Sequence, residues 1–160
     1  MRKLTVLSVC VVLVLGLSFA SSAMASDEED VLQVVTNWGI AMNTADVELM
    51  SSTYWHSPKT TNFSPNKAGA FLIQGWDALE KWWGGLLGMP QGTFVITQSN
   101  VQVTMVTNDV AVVTCYQALI VNPPADKEQS TNLVRNTRVV QKIGGKWLIV
   151  HEHASMLPTE

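Results

Sequence analysis

The sequence predicts an α+β domain. Apolar residues recur at helical spacing through the first half of the chain, and long β-branched runs fill the second half. Two of those runs flank Gly144-Gly145. Helices followed by a series of antiparallel strands define that class, and Gly-Gly between alternating runs is a hairpin signal.

The elements follow in order. Arg2 and Lys3 precede an apolar run from Leu4 to Ala20, and Ala23-Met24-Ala25 has the small residues a signal peptidase reads. This is the pattern of a secretory signal peptide over residues 1–25, leaving one exported domain, periplasmic or secreted, over residues 26–160. The apolar run is short for a membrane span, which takes about 20 residues, so no membrane association is expected after cleavage. Losing Arg2 and Lys3 takes the formal charge from −3 to −5. An acidic domain is a poor partner for nucleic acid or an anionic membrane. Cys10 lies in the leader, and a lone Cys115 cannot form an internal disulfide. Its apolar, strand-like surroundings indicate packing rather than chemistry.

Ser26 and Glu29 have the spacing of a capping box, and Asp27 to Asp30 place negative charge at a helix N-terminus. Val31, Val34, Val35, Trp38, Ala41 and Met42 then mark one face of a helix from about Asp27 to Asn43. Thr44 is placed to cap a short second helix through Leu49 to Tyr54. The polar stretch Ser57–Gly69, with Pro58 and Pro65, reads as loop with a short strand near Thr60–Phe63, and Ala70–Ile73 as another. Gly75 opens a third helix over Trp76–Leu87, apolar at Leu79, Trp82, Trp83 and Leu86, with Gly84-Gly85 weakening its last turn. Thr93–Val106 is a long strand, Asn108-Asp109 a turn, and Val110–Val121 a central strand covered on both faces. After a polar connection from Pro123-Pro124 to Ser130, Thr131–Lys142 and Trp147–Ala154 form a closing hairpin.

Several segments carry a family resemblance: Trp38-Gly39-Ile40-Ala41-Met42-Asn43 followed by Ala45-Asp46, Gly75 opening a helix, Asn108-Asp109-Val110-Ala111-Val112-Val113, Thr137-Arg138-Val139-Val140, and Gly145-Lys146-Trp147 running on to His151-Glu152-His153-Ala154-Ser155. In this order they resemble the nuclear transport factor 2-like superfamily, specifically its SnoaL-like branch with the ketosteroid isomerase-like fold. The last run is similar to the association domain of calcium/calmodulin-dependent kinase II. The resemblance implies a curved antiparallel sheet wrapped around three N-terminal helices, a conical pocket, and a homodimer formed through the sheet.

Fold alone does not assign a reaction. The isomerase of this superfamily uses a carboxylate base with a tyrosine and a protonated acid as oxyanion donors. By resemblance those positions fall on Asn62 to Ser64, on Trp38, and on Thr137 or Arg138. None holds the required group, so that reaction is not expected. In the kinase domain an arginine matching Arg138 lines the pocket, and a second pocket arginine would fall at Ala154, where it is missing.

Register decides what faces inward. A two-residue turn sets Arg138 opposite His151, whereas a glycine bulge sets it opposite Glu152. The resemblance places Arg138 and Glu152 inside, which favours the bulge. His151 and His153 are then expected on the outer face with Trp147 and Ile149, at a dimer contact. His151 and His153 would supply two ligands from one face, but zinc takes three or four and no third is evident. No metal or cofactor is expected.

The candidate ligand-binding residues are therefore Trp38, Tyr54, Trp83, Tyr116, Arg138 and Glu152. Arg138 and Tyr116 would orient polar groups and Trp38 would donate through its indole. Three functions remain open: a small organic ligand bound in a hydrophobic cone, a small-molecule lyase or isomerase using Glu152, His151 or Tyr54, or a structural oligomerisation unit.

Overall fold

The computed structural model describes residues 26–66, 69–122 and 129–158. The expected signal peptide over 1–25 and most of the Pro123-Pro124 connection lie outside the described residues. Among those described, no helix is long and apolar enough to cross a membrane.

The first helix, α1, spans residues 26–44. Its stripe of Val31, Val35, Trp38, Ala41 and Met42 is buried, as the spacing requires. Asn43 ties its end to the sheet: Nδ2 donates to the Ile96 carbonyl at 2.9 Å, and Oδ1 accepts from the Ile96 amide at 2.7 Å. Helix α2 covers Val47–Ser52, and its cap is Asp46 rather than Thr44. Asp46 is extended, so its carboxylate can reach the Leu49 amide at 2.9 Å. Thr44 is still helical, and its hydroxyl donates back to the Ile40 carbonyl.

Strands β1 (Thr61–Asn66) and β2 (Gly69–Gln74) form a hairpin, longer than the sequence indicated. Pro65 is tolerated because only Thr61–Phe63 pair with a second neighbour. Gly75, at φ 87°, turns the chain into α3, Trp76–Leu87. Strands β3 (Phe94–Met105), β4 (Val110–Val121), β5 (Ser130–Ile143) and β6 (Lys146–Met156) follow as a meander. The sheet order is β2-β1-β6-β5-β4-β3, with β1 parallel to β6 and every other pair antiparallel. The curved, unclosed sheet packs one face against the helices, and the core lies between them.

Two irregularities decide which residues face that core. In β3 the register shifts between Ser99 and Gln102, where Asn100 has φ 50°. Ile96 before the shift and Val101, Val103 and Met105 after it all reach the core. The closing hairpin turns tightly on Gly144-Gly145, whose φ angles of 58° and 81° need glycine. The bulge lies not at that turn but further along, where Val139 pairs with His151 and Val140 with Ile149, leaving Val150 unpaired. Arg138 is thereby opposite Glu152, as expected. The extra residue also reverses the alternation along β6. Trp147 and Ile149 are buried on the inner face and do not share the outer face with His151 and His153.

Candidate functional site

Three inward residues on β5 and β6 build a buried polar floor. Arg138 and Glu152 are 0% and 2% exposed, and Arg138 Nη2 lies 2.9 Å from Glu152 Oε1. The guanidinium carbon sits 4.1 Å from the centre of the Trp38 ring, a cation–π contact in a dry setting. Asn136 Nδ2 donates to Glu152 Oε1 at 2.7 Å, and Asn62 Nδ2 donates to Oε2 at 2.9 Å. Tyr54, buried against Trp76 and Trp83, donates its hydroxyl to the same Oε2 and accepts from Trp38 Nε1 at 3.0 Å. Burial, followed by the neighbouring Glu152 charge, pushes the Tyr54 phenol well above its ordinary value, so it stays protonated and donates.

This arrangement engages both oxygens of Glu152. Tyr54 and Asn62 donate to Oε2, Asn136 donates to Oε1, and the Arg138 guanidinium pairs with Oε1 as its counter-ion. A carboxylate held this way is a poor proton acceptor for a bound molecule. His151, another of the suggested acid–base groups, is on the other side of the sheet. There it lies 2.7 Å from the Thr61 hydroxyl and edge-on to Phe63. Glu152 and Tyr54 do meet, but as acceptor and donor of one hydrogen bond. Cys115 is buried beside Arg138, and burial raises its thiol, as for an inert packing cysteine.

Above the floor a cavity of about 180 Å³ opens between α1, α3 and the inner face of the sheet. Trp38 and Met42 reach it from α1, Trp82, Trp83 and Leu86 from α3, and Phe94, Leu119 and Val134 from the sheet. Its surface is mainly apolar and aromatic, with Glu152, Asn136, Gln117 and Asn62 as polar points.

The structure thus places Trp38, Trp83 and Glu152 on the cavity. Arg138 and Tyr54 lie beneath it, in contact with the lining but not part of it. Tyr116 is misplaced by the sequence reading: it is 47% exposed on the outer face, because β4 alternates and turns Cys115 and Gln117 inward. Gln117, Asn136 and Phe94 escaped the sequence reading, and Trp82, expected on the apolar side of the third helix, also lines the cavity. For the two amides the only signal is a polar side chain within a largely apolar strand; that both point inward is seen only in the structure. Among the described residues, no three His, Cys, Asp or Glu side chains gather as a metal site.

The outer face has its own titrating group. His151 is lowered, first by partial burial and then by His153, with Glu152 opposing. A depressed histidine contributes stability above its unfolded value, near 6.5, and loses it as pH falls through the lower folded value. Acidification from pH 7 to about 5 should therefore destabilise the domain, and His151→Gln should flatten that slope in urea unfolding. An unchanged slope would remove His151 as the cause.

A family model described as a SnoaL-like domain matches residues 31–159. No curated protein matches the chain. Among solved structures, a candidate scytalone dehydratase from Novosphingobium aromaticivorans is 15% identical with a TM-score of 0.74, over 88% of this chain and 90% of that one. A candidate dehydratase of the NTF2-like family from Streptomyces avermitilis is 22% identical with a TM-score of 0.71, over 84% and 99%. The association domain of CaMKII from C. elegans is 22% identical with a TM-score of 0.64, over 82% and 96%. At such identities these likenesses establish the fold and leave the chemistry open.

Proposed function

The chain belongs to the SnoaL-like domain family, and from that premise we propose that it is an exported domain binding a small organic molecule in its cone. One observation carries this reading: an aromatic cavity of about 180 Å³ stands over a polar floor whose carboxylate, Glu152, is held by Tyr54, Asn62 and Asn136 and paired with Arg138. An apolar cavity of about 150 Å³ is enough to admit benzene. A purely structural unit has no use for such a void, because unfilled space costs stability. Acid–base catalysis is the weaker reading, since Glu152 is held by three donors and an ion pair, Tyr54 is held protonated and His151 faces away. Export rests on the leader pattern over 1–25. A homodimer through the sheet is supported by Tyr116 and Leu133, 47% and 56% exposed on the outer face.

The test fills the cavity. Ala154 lines it and is 7% exposed. Ala154→Leu should abolish toluene binding, measured by calorimetry, while leaving the unfolding temperature of the free protein the same or higher. If neither toluene nor a hydroxylated or carboxylated one-ring analogue binds, or if both forms bind toluene equally, the cone is not a ligand site.

A further inference from the structure

Four side chains on the cavity wall carry buried polar atoms that have no partner among the described residues: the indole Nε1 of Trp82 and Trp83, Nε2 of Gln117, and Oδ1 of Asn136. Buried polar atoms of native proteins are nearly always satisfied, and each orphan costs about 1–3 kcal/mol. These four share the wall of one cavity, and both oxygens of the neighbouring Glu152 are engaged. The other buried side-chain atoms without a hydrogen bond among the described residues are Gln98 Nε2, away from the cavity, and Arg138 Nε and Nη2, the latter in the ion pair with Glu152. Such a distribution fits a site that a bound molecule completes.

The two amides specify what completes it. Gln117 on β4 and Asn136 on β5 are inward residues of paired strands, offset by two positions, since Cys115 pairs with Asn136 and Gln117 with Val134. They are 3% and 2% exposed. Asn136 Nδ2 is committed to Glu152, which fixes Oδ1 as its free end. Gln117 thus offers a donor and Asn136 an acceptor, and the two do not bond each other. One hydroxyl can accept from the first and donate to the second, which neither a hydrocarbon nor a carboxylate can do. A carboxylate would also meet the Glu152 charge, and the Arg138 cation does not line the cavity and is already paired with Glu152. The volume admits about one ring, and Trp38, Trp82, Trp83 and Phe94 provide faces and edges for an aromatic one.

We propose that the cone selects a neutral single-ring compound bearing a hydroxyl, with its oxygen held between Gln117 Nε2 and Asn136 Oδ1. This rests on the ligand-binding reading above.

Calorimetric titration of the purified protein with phenol, toluene and benzoate tests it. Phenol should bind roughly tenfold tighter than toluene, and benzoate should bind most weakly. In Gln117→Leu the phenol affinity should fall roughly tenfold while toluene is retained, which also shows that the variant is folded. Gln117→Met should behave alike. Toluene binding without a preference for phenol, or a preference that survives Gln117→Leu, overturns the hydroxyl assignment and leaves the ligand site standing. Tightest binding of benzoate overturns it as well. If none of the three binds, both readings fall.

Discussion

Arg138→Met should destabilise the domain by about 3–5 kcal/mol, the largest loss expected from a single charge removal here. The reason lies less in the energy of the ion pair than in what the substitution leaves behind. Bringing a guanidinium and a carboxylate out of water costs several kcal/mol per ion, and their attraction roughly offsets this. With the cation gone, Glu152 remains 2% exposed with hydrogen bonds but no counter-charge. Trp38 also loses the guanidinium stacked 4.1 Å from its ring. The double variant Arg138→Met/Glu152→Gln should recover a large part of the loss, because glutamine keeps a carbonyl for Asn62 or Asn136 and carries no charge. Urea unfolding of the wild type, both singles and the double provides the cycle. A loss below about 1 kcal/mol for Arg138→Met would mean that the pair behaves as an exposed one, and the dry floor described above would be wrong.

The cycle also bears on function. Because Arg138 is beneath the cavity, its removal should act on binding through the floor. Losses in affinity should therefore track losses in stability. From the sequence, Arg138 is expected to point inward opposite Glu152 and to orient the ligand. The pairing is present, but burial and pairing do not distinguish lining from support. That distinction depends on Trp38 lying over the guanidinium, a contact between residues a hundred positions apart.

Periodicity made most of the fold legible. Helix α1, helix α3 over Trp76–Leu87 and strand β4 over Val110–Val121 have the bounds, or nearly the bounds, that their apolar spacing implies. Even spacing cannot reveal a break in its own phase. A β-bulge adds a residue without any distinctive side chain, so a run such as Trp147-Leu148-Ile149-Val150, apolar at every position, carries no mark of where the alternation turns over. The bulge at Val150 was therefore displaced to the glycines in the sequence reading, and Trp147 and Ile149 were assigned to the wrong face. Tyr116 failed for a related reason. Val110–Val121 is apolar on both faces, so its composition does not say which residues point inward. Hydrogen bonding from Asp46 likewise decided the α2 cap over Thr44, a choice set by backbone angles that both residue types favour.

Alanine substitution along β6 should expose that phase break as a discontinuous pattern. Trp147→Ala and Ile149→Ala should each cost about 3–5 kcal/mol, since both side chains are buried and large. Trp147 additionally donates through Nε1 to Asp27 Oδ1 at 3.1 Å, so its loss loosens the start of α1, where Lys142 holds the same carboxylate at 2.5 Å. Beyond the bulge the sensitive position becomes Glu152, which anchors three donors and the Arg138 charge. His153→Ala should lie within about 0.5 kcal/mol of wild type because it is exposed. His151→Ala should cost no more than about 1.5 kcal/mol, the worth of its contact with Thr61. An uninterrupted strand would instead make 147, 149, 151 and 153 one sensitive face and spare Glu152. Measuring the urea midpoints of these five variants separates the two patterns directly. If His151 and His153 join Trp147 and Ile149 as costly positions, the bulge is absent. Arg138 then no longer faces Glu152, and the floor under the cavity loses the pairing on which its chemistry depends.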